Sequence, residues 1–104
     1  MSNDVEMVMV TMEFSTDDPA SLAPILAKYV VMSRGHEGCR NIDLCSSTTT
    51  PGRLTVVQKW ESLPAQQAHF DSADMVEMAK AAQALLREPP RMDLLDPISA
   101  HDLT

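Results

Sequence analysis

The run Val5–Phe14 (VEMVMVTMEF) is the strongest constraint in this chain. Its β-branched and apolar residues read as a strand. The centre, Met7-Val8-Met9-Val10, is apolar at both parities, so both faces of the strand need cover. A chain of 104 residues has room for one domain only. We take its core as 5–98, with a short polar tail over 99–104. One face of the strand is then covered by the chain's own helices, and the other by a second subunit. Hydrophobic residues make up 44% of the sequence, enough for a core. A domain this small nevertheless buries only about two-thirds of its unfolded surface.

The rest of the pattern supplies those helices. Asp17-Asp18-Pro19 opens the first, with acids at the positive dipole end and Pro suited to the first turn. Pro24 is awkward if the helix starts at Pro19 and harmless if Ser21 is the N-cap. Leu22, Ile25, Leu26, Tyr29 and Val30 form one apolar stripe, and Gly35 and Gly38 end the helix. Cys39–Ser46 and Arg53–Glu61 read as strands joined by the polar turn 47–52, hence an antiparallel pair. Ser62-Leu-Pro64 caps a second helical region, which Asp71-Ser72 breaks in two. Its longer part carries Met75, Met78, Ala79, Ala82, Leu85 and Leu86 on one side, and Glu88-Pro-Pro90 stops it. Arg91–Ile98 is a final strand, marked short or at an edge by Pro97. The order β-α-β-β-α-β predicts an α+β, ferredoxin-like fold with a four-stranded antiparallel sheet and helices on one face. The bare sheet face predicts a homodimer, a dimeric α+β barrel.

Charge and targeting signals narrow the partners. A formal net charge of −7 argues against nucleic acid or an anionic membrane, both of which need a basic footprint. Met1–Asp4 lacks a basic n-region, and no stretch reaches the roughly 20 apolar residues of a membrane span. Cys39 and Cys45 lie about 20 Å apart if they share a strand, too far for a disulfide. They share parity on that strand, face the same way, and read as small apolar residues. The expectation is a cytoplasmic protein with reduced thiols.

Three stretches, taken in order, carry a family resemblance. They are Arg34-Gly-His-Glu-Gly-Cys39 after the first helix, Lys59-Trp-Glu-Ser62 at the end of the third strand, and Ala68-His-Phe-Asp-Ser72 in the next helix. Together they resemble the antibiotic biosynthesis monooxygenase family of the dimeric α+β barrel superfamily, over nearly the whole span 5–98. Glu37-Gly38 stands where that family often has Glu-Pro-Gly, and Lys59 directly precedes the Trp. The resemblance implies oxidation of quinol-like or anthrone-like aromatics with no metal and no flavin. The substrate itself supplies the electrons once it is deprotonated. Such chemistry needs an apolar pocket, a base, and donors that stabilise the anion. The residues that fit are His69 as base, Trp60 as an indole donor and flat wall, and Phe70, Met75 and Met78 as lining.

The departures sharpen the reading. The anthrone-oxidising members carry an Asn upstream of the Trp, where Val56 stands here, and a Tyr where Gln66 or Gln67 stands. The haem-degrading members need an axial His where this chain has Ala79 and Lys80, so haem degradation does not fit and the quinol-type branch fits best. A plainer reading stays open. A single helical His beside a Phe is commonly a hydrogen-bonded structural residue, Trp60 is core, and Arg34 and His36 belong to a solvated loop. On that reading the chain is a non-catalytic barrel that binds a small hydrophobic ligand. Other ferredoxin-like functions lack their residues. The middle strands offer only Phe14 and Trp60 to stack RNA bases, there is no Cys-x-x-Cys, and 15–18 is acidic where a phosphate loop would be basic.

Overall fold

The computed structural model describes residues 7–100. Four strands, β1 (Val8–Ser15), β2 (Cys39–Ser46), β3 (Arg53–Trp60) and β4 (Arg91–Leu95), form one antiparallel sheet in the order β2-β3-β1-β4. The helices are α1 (Pro19–Ser33), α2 (Leu63–Phe70) and α3 (Ala73–Ala82), the last tightening into a 3-10 turn over Gln83–Leu85. This is the predicted ferredoxin-like α+β arrangement.

The core follows from strand register. Val10 faces Gln58, Met12 faces Val56, and Phe14 faces Leu54, so the even positions of β1 and β3 share one side of the sheet. There they are buried against Leu22, Leu26, Tyr29 and Val30 of α1 and Met78 and Ala82 of α3. Met9, Thr11 and Glu13 point to the other side and are half-buried in the single chain. The helices therefore cover one face of β1. Val5 and Glu6 of the predicted strand, and His101 of the tail, lie outside the described residues.

Helix starts are set locally. Asp18 is the N-cap of α1, its carboxylate accepting from the Ser21 amide at 3.2 Å. The helix therefore starts at Pro19, and Pro24 lies inside it, where it has no amide to donate to the carbonyl four residues back. Ser62 and Ser72 cap α2 and α3 through their hydroxyls. The break at Asp71-Ser72 is thus a C-cap followed directly by an N-cap. β4 ends at Leu95, short of the predicted Ile98 and before Pro97, and it lies at the sheet edge.

One expectation fails. Cys39 and Cys45 do not face the same way, because β2 carries an irregularity: Cys39 pairs with Trp60 and Asn41 with Lys59, leaving one extra residue between them. A β-bulge of this kind reverses the alternation on either side of it. Cys39 packs against the core and Cys45 is exposed, both as free thiols. Just before the bulge, Gly38 adopts φ +81, and a Cβ there would stand 2.5 Å from Ala65 Cβ. Only glycine lets this turn lie so close to α2. That closeness places His36 beside the helix.

Candidate active site

His69 faces inward from the last turn of α2 and is 3% exposed. Its ring lies 4.4 Å from that of Trp60 at an angle of 30°, and close to the rings of Tyr29 and His36. Both imidazole nitrogens are engaged. Nε2 meets the Tyr29 hydroxyl at 2.5 Å, and Nδ1 meets His36 Nδ1 at 2.8 Å. His36 Nε2 in turn contacts the Asp74 carboxylate at 2.7 Å. On the sheet side, the Gln58 amide donates to the Tyr29 oxygen at 3.4 Å and to Met12 Sδ at 3.2 Å. The Trp60 indole donates to Gln58 Oε1 at 2.8 Å. Side chains from α1, β3, α2, α3 and the turn before β2 thus form one polar chain through the layer between helices and sheet.

Burial sets its charge state. Desolvation, reinforced by the neighbouring His36 and partly offset by Asp74, lowers the His69 pKa from 6.5 to about 4. His69 is therefore a neutral imidazole at pH 7. Desolvation also pushes the Tyr29 hydroxyl up to about 12, against hydrogen bonds from Gln58 and Ser33, so Tyr29 keeps its proton. The unfolded chain protonates this histidine near 6.5 and the folded chain only near 4. Its neutral form therefore stabilises the fold fully above pH 6.5, and the contribution is lost as pH falls toward 4. We expect up to about 3 kcal/mol of pH-dependent stability over that window. Urea unfolding at stepped pH, compared with His69→Gln, measures it. Equal slopes in both proteins would show that His69 is not the group responsible.

Three cavities adjoin this layer. The apolar one between α3, its 3-10 turn and β1 holds about 530 Å³ and is lined by Met12, Phe14, Met75, Met78, Leu86 and Pro90 among others. That is within the range of small-molecule sites. A smaller one of about 200 Å³, between α1 and α3, includes Tyr29, Asp74 and Met78. The third, about 580 Å³, lies between α2 and β4 and is lined by Val8, Leu63, Leu94 and Leu95 among others.

The structure thus unites part of the predicted site. His69 and Trp60 are in ring contact, and Met75 and Met78 line the 530 Å³ cavity beside α3. His69 and Trp60 line none of these three cavities. Met12, which lines the 530 Å³ cavity, accepts from Gln58 and lies 3.9 Å from the Tyr29 hydroxyl. A single methionine side chain therefore separates that cavity from the polar chain. The Trp60 indole donor is committed to Gln58 rather than free for a ligand. Phe70, expected as lining, is 45% exposed and turns away from the network. Adjacent helix positions differ by about 100°, so with His69 turned inward its neighbour cannot line the same space. Tyr29, His36, Gln58 and Asp74 were missed as site residues. Tyr29 appears in sequence only as part of an apolar stripe, and His36 only as a loop residue.

The sequence matches the family model described as antibiotic biosynthesis monooxygenase over residues 7–81. It matches none of the curated proteins with which it was compared. Among solved structures, a Mycobacterium tuberculosis protein superposes with a TM-score of 0.83 at 25% identity, covering 90% of this chain and 97% of its own. A Caulobacter crescentus protein, named a candidate antibiotic biosynthesis monooxygenase, gives 0.83 at 18% identity, with 90% and 92% covered. A Nitrosomonas europaea protein with the same description gives 0.85 at 14% identity, with 94% and 96% covered.

Proposed function

The chain belongs to the antibiotic biosynthesis monooxygenase family, and from that premise we propose that it oxidises a small aromatic, quinol-like substrate with dioxygen, using neither metal nor flavin. The observation that carries this reading is a buried imidazole, neutral at pH 7, hydrogen-bonded to the Tyr29 hydroxyl, which abuts Met12 in the wall of an apolar cavity large enough for such a substrate. A substrate seated against Met75 and Met78 reaches the polar chain when Met12 swings aside, a movement its unbranched side chain allows. His69 accepts the acidic proton through the Tyr29 hydroxyl, which takes it from the substrate as it gives its own proton to Nε2, and the substrate anion gives its electrons to dioxygen. One oxygen atom enters the product and the other leaves as water. Trp60 holds the imidazole plane and keeps water from it.

The dimer belongs to the same proposal. Leu95 of β4 pairs with Met9 on the outward side of the sheet and is 39% exposed, and the outward face of β1 is only half-buried, so a second copy supplies the missing cover. Two free thiols fit a cytoplasmic setting. Among the described residues, no helix is long and apolar enough to cross a membrane.

Oxygen uptake with anthrone and menadiol tests the proposal. The expected result is one dioxygen consumed per product formed, with a single oxygen atom from labelled dioxygen retained. No uptake above the protein-free rate across quinols and anthrones sinks it. A second reading has its own observation, since both nitrogens of His69 are taken and none of the three cavities reaches it. It makes the protein a hydrophobic-ligand carrier. It predicts stabilisation by the probe, about 2.7 kcal/mol at a hundredfold excess over Kd, and no oxidised product.

A further inference from the structure

We propose that Asp74, acting through His36, is the positioning residue of His69: it fixes the proton on His69 Nδ1 and leaves Nε2 bare toward Tyr29. This deepens the reading of His69 as the base and rests on it.

The inference follows from the two ends of the polar chain. The Trp60 indole is a donor only, and an ionised Asp74 carboxylate is an acceptor only. Asp74 therefore takes the Nε2 proton of His36 across 2.7 Å. The two Nδ1 atoms, 2.8 Å apart, share a single proton, and with the His36 proton held at Nε2 by Asp74 we place the shared one on His69. With its one proton on Nδ1, His69 accepts at Nε2 from the Tyr29 hydroxyl. From the other end, Trp60 occupies Gln58 Oε1, so Gln58 turns its amide group to the Tyr29 oxygen. That oxygen accepts there, and its own proton, between His69 Nε2 at 2.5 Å and the weaker acceptor Met12 Sδ at 3.9 Å, goes to His69. Every donor and acceptor is used, and the chain runs one way, from Trp60 to Asp74.

Among the described residues, the titratable side chains bonded to the histidine pair are Tyr29 of α1 and Asp74 of α3, and Cys39 of β2 lies near Tyr29. At the rim of the small cavity, Glu77 is paired with Lys28 at 3.0 Å. Asp74 lies in the first turn of α3, where the helix dipole favours the carboxylate. The side chains of His36 and Asp74 are 22% and 27% exposed, so this is also the path by which a proton on His69 exchanges with solvent. A proton received at Nε2 releases the one at Nδ1 to His36. His36 then passes its Nε2 proton to Asp74 or water, and the reverse movement restores the chain.

Imidazole nitrogen NMR on the uniformly labelled protein at pH 7 tests the assignment without any substrate, so its outcome is separate from that of the oxygen-uptake assay. His69 is expected to show a protonated Nδ1 and a bare Nε2, its signals being identified by their absence in His69→Gln. In Asp74→Asn and His36→Gln that signature is expected to be lost to the other tautomer or to an average of the two. Both replaced side chains are partly exposed, and amide spectra confirm that the variants fold. A wild-type His69 protonated at Nε2, or a signature unchanged in both variants, overturns the proposal.

Discussion

Trp60→Ala is expected to lose about 3–5 kcal/mol of folding stability. Trp60 is fully buried at the end of β3, where it packs on His69 and gives its indole proton to Gln58. Truncation opens a cavity between sheet and helices and leaves Gln58 Oε1 without its donor. A domain of this size holds only about 5–15 kcal/mol in total. The midpoint of thermal unfolding should therefore fall by on the order of 20 °C. Trp60→Phe separates the two effects. It keeps most of the ring and loses the donor, for which we expect about 1–3 kcal/mol. Thermal and urea unfolding of both variants measure the difference. A loss below about 1 kcal/mol for the alanine variant would mean that the site collapses around the gap more completely than close packing allows. The same substitution wets His69, so its pKa should rise from about 4 back toward 6.5.

The sequence carried the fold further than the site, for reasons visible in particular residues. The apolar, β-branched run of β1 and the stripe Leu22–Leu26–Tyr29 are local patterns, and Ser62 and Ser72 announce their helix starts by type and position. Those signals survive in one dimension because each depends on neighbours a few residues away. The bulge after Cys39 has no such signal. One inserted residue reverses the facing of everything before it, and composition is silent on that. Pro24 was ambiguous because two helix starts suited the same prolines. His36 and His69 are 33 positions apart, and what joins them is the glycine turn at Gly38 pressed against α2. Tyr29 illustrates a second limit. Its ring belongs to the apolar stripe and its hydroxyl to the polar chain, and periodicity registers only the ring. Phe70 failed as lining for the opposite reason: adjacency to His69 in sequence turns its side chain by about 100° on a helix, out of the same space.

On a probe that the wild type oxidises, His69→Ala is expected to lower turnover by about a hundredfold to ten-thousandfold, the usual contribution of a positioned base. That corresponds to about 3–5 kcal/mol in the barrier. Binding should change little, because Met75, Met78 and Phe14 line the cavity and His69 does not. A loss in kcat with Kd unchanged is therefore the signature of lost proton transfer, whereas a distorted pocket would move both. The pH profile gives an independent check. The working form is the bare imidazole, populated above a pKa of about 4. The wild-type rate should be flat from pH 7 down to about 5 and fall as pH drops through 4, with the decline absent in the residual activity of His69→Ala. Equal rates in the two proteins would remove His69 from the chemistry and leave the buried chain a structural role. In that case the neutral imidazole, sealed between Tyr29, His36 and Trp60, serves to satisfy buried polar groups, and the cavity beside α3 is a binding site without a reaction.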